Sequence, residues 1–390
     1  MTCYMICFIV IVCLRSRVAL IGISVSSFFI ISKLYPGPGR KKWYLSGIVL
    51  SGFLLMFFTK KDSTLGRFFI WKIAMQVWST NWVKGIGYGK FNFHFNHAQA
   101  AYFQSHDVYS NEAMLAKDGY YAFNDWLQYS IEFGIAGLAL ALLMAIGLIY
   151  MYLKQLKRST PNNNTLLLAL LLPLLVATIV SYPLHRWYFQ CIGICVMMLL
   201  LINTLPFSVN YTRACGFISV GLTMFIFLLC QFIGYQKQAA FSEANALWNE
   251  GASSEAINKL NILNKESPGN FLFTKKLASW LIAVKRPEDG IHFLEMQHEL
   301  ECSQKFHAFL GNLYAENKML SQAENNLLLS LYIKPHLLIS RFTLMNFYYN
   351  NRNEKGAVYW ARELQKFPVK IANPQAFILK DSATRFLRFR

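Results

Sequence analysis

Long apolar blocks alternate with short polar links over the first 235 residues, and a helical three-four rhythm of apolar positions follows from about residue 240 to residue 390. A helix that crosses a bilayer needs about 20 mostly apolar residues. The segments 18–34, 43–58, 133–153, 166–180, 191–205 and 216–233 reach or approach that length. A further apolar piece, 1–13, is shorter. No positive charge precedes it and no small-residue cleavage site follows, so it reads as the remainder of a longer helix rather than as a signal peptide. On that reading the chain begins inside a larger membrane domain. The link with Arg40, Lys41 and Lys42 and the link with Lys154, Lys157 and Arg158 are short and basic, which assigns both to the cytoplasmic side. Residues 59–125, the short link 181–190 and everything after the last span then lie outside. The lysines of the long loop do not oppose this, because long loops translocate largely regardless of charge.

The C-terminal stretch repeats itself. Ala256, Gly290, Ala323 and Ala357 recur at 33–34 residue spacing and open the similar phrases AINKL, GIHFL, AENNL and AVYWA, while Pro268, Pro335 and Pro368 close three of the units. Small residues let two helices approach, and proline ends the second of them. The third unit, with Leu310, Gly311, Tyr314, Ala323 and Pro335, resembles the tetratricopeptide pattern. The predicted fold is therefore all-α: a multi-pass membrane helix bundle over 1–235, with a large loop at about 59–125, and a tetratricopeptide-type repeat domain over 240–390. Such arrays bind a peptide or protein in a concave groove or serve as a structural cap, so a protein partner of the repeats is one expectation.

Composition narrows the classes. Hydrophobic residues make up 55% of the chain and charged ones 15%, against about 25% in an ordinary soluble protein. The net charge of +18 comes largely from links between apolar blocks, and no zinc-finger or RNA-binding motif accompanies it, so no nucleic-acid partner is expected. The eight cysteines form no CxxC pair and read as small buried apolar side chains. His94, His97 and His106 share the long loop, but no cysteine or carboxylate set stands beside them in the sequence, so neither a metal nor another cofactor is expected.

Candidate chemistry gathers on the outer side. Ser16-Arg17 precedes a span. Gly66-Arg67 is followed by Trp71, then by Gly85, Gly87, Gly89 and Phe91 as GxGxGxF. Asn124 is followed by nine residues and then by Gly134, which with Gly137 makes a GxxG. In order and spacing, roughly residues 10–235 resemble the O-antigen ligase and polymerase family of glycosyltransferases. Phe123 occupies the place of that family's histidine, and fewer spans are present than the family carries. The glycine loop lacks a following GK[ST] and reads as a tight turn, with Trp71, Trp78, Trp82, Tyr88 and Phe91 available for a membrane interface or for stacking on sugars.

The resemblance implies a GT-C-like membrane enzyme in the bacterial inner membrane, with the large loop and the repeats periplasmic. It would move a glycan from polyprenyl diphosphate to a lipid or glycan acceptor without a cofactor. Arginine suits a diphosphate because its planar fork binds phosphate oxygens in pairs and stays charged, which points to Arg17, Arg67 and Arg186. The acceptor hydroxyl needs a base within hydrogen-bond reach, and Phe123 cannot serve. In a helix over 124–137, Asp125, Gln128 and Glu132 share a face. Asp125, Glu132 and His185 are thus the candidate bases, with a helix cap as the plain alternative for Asp125. Ligase, polymerase and a catalytically degenerate scaffold acting through its repeats all remain open.

Overall fold

The computed structural model describes residues 17–34, 61–156, 163–204, 209–268, 270–297, 299, 301–370 and 373–389. The 1–13 piece, Arg15, Ser16, the 43–58 block and the basic links at Arg40–Lys42 and Lys157–Arg158 lie outside the described residues. So does the side chain of Arg17, whose backbone begins the first helix. Every regular element among the described residues is helical. In chain order these are α1 (Arg17–Leu34), α2 (Lys61–Asn81), α3 (Phe91–Ser105), α4 (Asn111–Leu115), α5 (Asp125–Leu156), α6 (Asn163–Val180), a 3-10 turn (Pro183–His185), α7 (Trp187–Thr204) and α8 (Val209–Asn249). They continue as α9 (Ser253–Glu266), α10 (Phe271–Ala283), α11 (Pro287–Gln297), α12 (Gln304–Glu316), α13 (Leu320–Ile333), α14 (Leu338–Asn350), α15 (Glu354–Lys366) and α16 (Pro374–Arg388). Among the described residues, Asp125–Gly147 is the helical stretch long and apolar enough to cross a membrane, while Asn164–Val180 and Trp187–Leu200 are apolar but shorter.

The chain divides into two compact units. The first comprises the described residues up to Arg67, Trp82–Gly85 and Tyr121–Gly234; the second comprises Phe68–Asn81, Ile86–Tyr120 and Tyr235–Arg390. Residues 235–240 are helical, within α8.

In the first unit α1 packs on α6, and Phe29, Leu168, Ala169, Leu171, Val196 and Leu200 form a core with α7. Pro173 sits inside α6. It has no N–H, so the Ala169 carbonyl four residues earlier loses its helical donor. The Ser26 hydroxyl of α1 donates to that carbonyl at 2.8 Å. The same proline brings the helices close: a Cβ on Gly22 would meet the Pro173 Cα at 2.8 Å. Ser26→Ala should cost about 1–2 kcal/mol, because a buried carbonyl is left without a partner. In a Pro173→Ala background, where α6 supplies its own donor, the cost should shrink to a few tenths. A thermal-unfolding cycle over the four proteins measures this, and an unchanged Ser26→Ala penalty in the second background would refute it.

In the second unit α10 pairs with α11, α12 with α13, and α14 with α15, with α16 covering the last pair, while the end of α8 shares an apolar cluster with α9 and α10. The period visible in the sequence is a period of structure. Ala256, Ala323 and Ala357 are fully buried, and a Cβ on Gly290 would come within 3.1 Å of the Ala278 carbonyl. Each pair also turns through one left-handed residue, Gly251 (φ 90°), Lys285 (φ 62°), Lys318 (φ 61°) and Arg352 (φ 58°), again 33–34 residues apart. At each of them two amides bond back to the preceding helix; for Lys318 the bonds are Lys318 N–H to Ala315 O (3.1 Å) and Met319 N–H to Tyr314 O (2.9 Å). This is the Schellman closure of a helix C-terminus. Trp248 stacks on Trp280 at 4.7 Å and joins the first two pairs.

The loop stretch 91–120 packs against these helix pairs. Asn92, Asn96 and Gln99, spaced along one face of α3, are buried. The Asn92 carboxamide accepts the Cys302 N–H (2.8 Å), Asn96 donates to the Cys302 carbonyl, and Gln99 donates to the Ile333 carbonyl (2.6 Å). Asp118 accepts the Gln304 N–H (2.9 Å) and pairs with Lys334, and the Tyr109 hydroxyl reaches Glu363 (2.6 Å). His336 meets the Ala113 carbonyl; burial, with Lys370 beside it, pushes the imidazole pKa down to about 4. One face of the helix pairs is thus covered by this chain's own stretch 91–120. Phe91, one of the aromatic residues considered for a membrane interface, lies buried in this unit and stacks on Phe95.

Candidate active site

The first unit places its polar residues around the start of α5. Asn124 caps that helix, its side chain accepting the Leu127 N–H at 3.0 Å. Asp125 is therefore released from the capping role that its position suggested. Its carboxylate is fully buried and turns to the link 183–186 instead. One oxygen accepts the Leu184 N–H at 2.9 Å, and the other lies 2.7 Å from His185 Nδ1. A carboxylate can only accept, so Nδ1 carries the hydrogen, and in the neutral imidazole Nε2 holds the lone pair. Nε2 is buried and has no hydrogen-bond partner among the described residues. Tyr129 stacks on the imidazole at 5.2 Å, and its hydroxyl donates to the Leu184 carbonyl.

Glu132, the other carboxylate of that helix face, is also buried, and Gln128 donates to it at 3.0 Å. Gln128 in turn accepts the Ala122 N–H. Glu132 thus belongs to a network with Gln128, whereas Asp125 belongs to His185.

Both described arginines of the expected clamp sit on one aromatic cluster. The Arg67 guanidinium lies over the Phe123 ring at 5.5 Å. Phe123 meets Tyr182 edge to face at 5.2 Å, and the Arg186 guanidinium lies over Tyr182 at 5.6 Å and over Tyr121 at 5.9 Å. Tyr121 and Tyr182 stack at 4.1 Å, and Tyr121 meets His185 at 5.4 Å. A hydrogen bond that the Arg186 guanidinium donates to the Tyr182 hydroxyl oxygen holds the Arg186 pKa above its ordinary value. Ring faces attract the cations without neutralising them. Phe123 itself has φ 53°, a left-handed conformation rare for a bulky residue. Phe123 is therefore part of the floor beneath the arginines. Sequence reasoning did not pick out Tyr121, Tyr129 and Tyr182; the aromatic spacing around Asp125 and His185 was the only signal available.

The glycine motifs shape the backbone around this centre. Gly85 (φ 72°) and Gly134 (φ 60°) cross: a Cβ on Gly85 would lie 2.3 Å from the Glu132 carbonyl oxygen, and one on Gly134 would lie 2.4 Å from the Val83 carbonyl oxygen. The Ile135 N–H donates to that Val83 oxygen at 3.3 Å. Gly134 (ψ −140°) breaks α5, so 124–137 is not the single regular helix that was expected. Past the break, a Cβ on Gly137 would meet the Tyr129 carbonyl at 2.3 Å. Gly87 (φ 93°) and Gly89 (φ 77°) turn the chain into α3, which agrees with a tight turn rather than a nucleotide loop. Gly66 and Trp71 lie on α2, and a Cβ on Gly66 would meet nothing within 4 Å.

Comparison with known proteins adds one match. No curated protein matches the chain. Residues 2–142 match the family model described as O-antigen ligase, a stretch that holds Arg17, Arg67, the glycine loop, Asp125, Glu132, Gly134 and Gly137 but ends before His185 and Arg186. Over that stretch the chain is therefore similar to the O-antigen ligase family.

Proposed function

We propose that this chain is a multi-pass inner-membrane glycosyltransferase that moves a glycan from polyprenyl diphosphate to a lipid or glycan acceptor at the periplasmic face. The observation that carries the reading is the Asp125–His185 pair beside two guanidiniums on one aromatic floor. In the transfer, the acceptor oxygen bonds to the anomeric carbon as the bond from that carbon to the diphosphate oxygen breaks. The acceptor proton passes to His185 Nε2, Asp125 stabilises the imidazolium formed, and polyprenyl diphosphate departs with the electron pair. Arg67 and Arg186, with Arg17 as a third candidate, hold the charge that builds on the leaving group. His185 would then do the work that the absent histidine at position 123 does elsewhere in the family. Glu132 is reserved for the Gln128 network.

The membrane part of the proposal draws on α5 and α8, which leave Leu140, Leu143, Ile146, Ile218, Phe225 and Phe232 more than half exposed. Lipid is the natural cover for apolar surface of that extent. On this reading residues 1–235 form the membrane domain, and the tetratricopeptide-type helices of 240–390 stand outside the membrane with the loop.

The test is Arg67→Ala and Arg186→Ala, singly and together, in cells whose surface glycan is resolved on gels and whose lipid-linked precursor is quantified. Loss of attached glycan with precursor accumulation, of order 10²–10³-fold per arginine, is expected of a ligase. Loss of long chains with single units still attached means a polymerase with the same clamp. Wild-type glycan in the double variant rejects the transferase.

A further inference from the structure

In the second unit, away from the arginine cluster, three side chains from separate elements meet: His97 of α3, Cys302 just before α12 and His307 within it. Cys302 Sγ lies 3.1 Å from His97 Nδ1 and 3.2 Å from His307 Nε2, and one ligand-capable atom from each residue falls within 4.8 Å of the others. Cys302 is fully buried, His307 nearly so, and His97 partly. From these contacts we infer a zinc site, formed by His97, Cys302 and His307, that fastens α3 of the long loop to the helical repeats.

The donor set selects the ion. One thiolate with two imidazoles suits Zn²⁺, while Mg²⁺ and Ca²⁺ require oxygen ligands. Tetrahedral zinc at its usual bond lengths holds sulfur and nitrogen about 3.5 Å apart, so both sulfur–nitrogen pairs are already near the required separation. The imidazoles are set for it as well. His307 Nδ1 lies 2.8 Å from the Asn326 side-chain oxygen, which accepts its hydrogen and leaves the Nε2 lone pair facing the sulfur. His97 Nδ1 also lies 3.0 Å from the Phe93 carbonyl and exchanges that contact for the ion. Three protein ligands leave the fourth position of a tetrahedral ion for water.

The backbone explains why the arrangement is fixed. Asn92 and Asn96 bind the amide and the carbonyl of Cys302, which locks the cysteine against the helix that carries His97. The sequence alone conceals the site because its ligands stand at 97, 302 and 307. The loop histidines considered together were His94, His97 and His106, and only His97 contributes.

The experiment uses the full chain in detergent, stripped with a chelator and titrated with Zn²⁺ against a chromophoric competitor, and in parallel with Co²⁺. One tight equivalent of zinc per chain is expected, with a thiolate-to-cobalt charge-transfer band. Cys302→Ala should remove the band and the tight equivalent. Asn326→Ala touches no ligand position and should weaken zinc 10- to 100-fold with the fold intact, which keeps the test decisive if Cys302→Ala fails to fold. A wild-type chain with no zinc site tighter than about micromolar, or Asn326→Ala and wild type binding alike, overturns the inference and leaves thiol–imidazole hydrogen bonds alone. None of these readouts depends on glycan transfer.

Discussion

Replacing His185 with alanine is expected to lower glycan transfer about 10²–10⁴-fold, the contribution of a positioned general base, while the protein still reaches the membrane in normal amount. Asp125→Asn is the sharper companion. The carboxylate now fixes the hydrogen on Nδ1. An asparagine can turn its NH₂ toward the ring, which favours the opposite tautomer and leaves Nε2 protonated and unable to accept. The expected result is a loss approaching that of His185→Ala, with little change in acceptor binding. The measurement is transfer of a synthetic polyprenyl-diphosphate glycan in detergent, with turnover and half-saturation determined separately. Full turnover in His185→Ala removes the base from the proposal. A folded Asp125→Asn protein with ordinary turnover would leave the carboxylate as a structural tie between α5 and Leu184.

The second large effect concerns backbone. Gly134→Ala should cost about 3–5 kcal/mol, because the new Cβ meets the Val83 carbonyl oxygen at 2.4 Å and must also adopt a left-handed conformation. In the detergent-solubilised chain this corresponds to a melting temperature lower by about 10 °C. Gly85→Ala should behave in the same way from the other side of the crossing. Gly66→Ala is the control from within the same set of motif glycines: it lies in a helix with open space around it and should be neutral or stabilising by up to about 1 kcal/mol. If Gly66→Ala proved as harmful to folding as Gly134→Ala, close backbone crossing would not be what distinguishes these glycines.

Much of the architecture was legible because it is written in local periodicity. The small-residue phase at Ala256, Gly290, Ala323 and Ala357 marks the helix pairs, and Pro268, Pro335 and Pro368 stand just beyond α9, α13 and α15. The left-handed turns were legible only at Gly251. Lysine and arginine hold the equivalent conformation at 285, 318 and 352, where the closing hydrogen bonds rather than the side chain impose it. The candidate site was legible as residue types but not as pairs. Asp125 and His185 are 60 positions apart, and which carboxylate of α5 faces the link 183–186 depends on Asn124 taking the cap and on the break at Gly134. The packing of residues 91–120 on the helix pairs was hidden for a similar reason. Asn92, Asn96 and Gln99 look like a solvated face, and only the backbone groups of Cys302 and Ile333 reveal them as an interior one.

That interior face changes what truncation means. A shortened chain ending before residue 240 would not be an enzyme relieved of an accessory module. It would retain three carboxamides and Phe91 made for burial, with the groups that satisfy the carboxamides gone. Defects in such a protein would report a torn core rather than a lost recruitment function. Point substitutions on the outer surface of the array, such as Tyr359→Ala at a residue more than half exposed, would be the cleaner means of asking whether the repeats engage anything else.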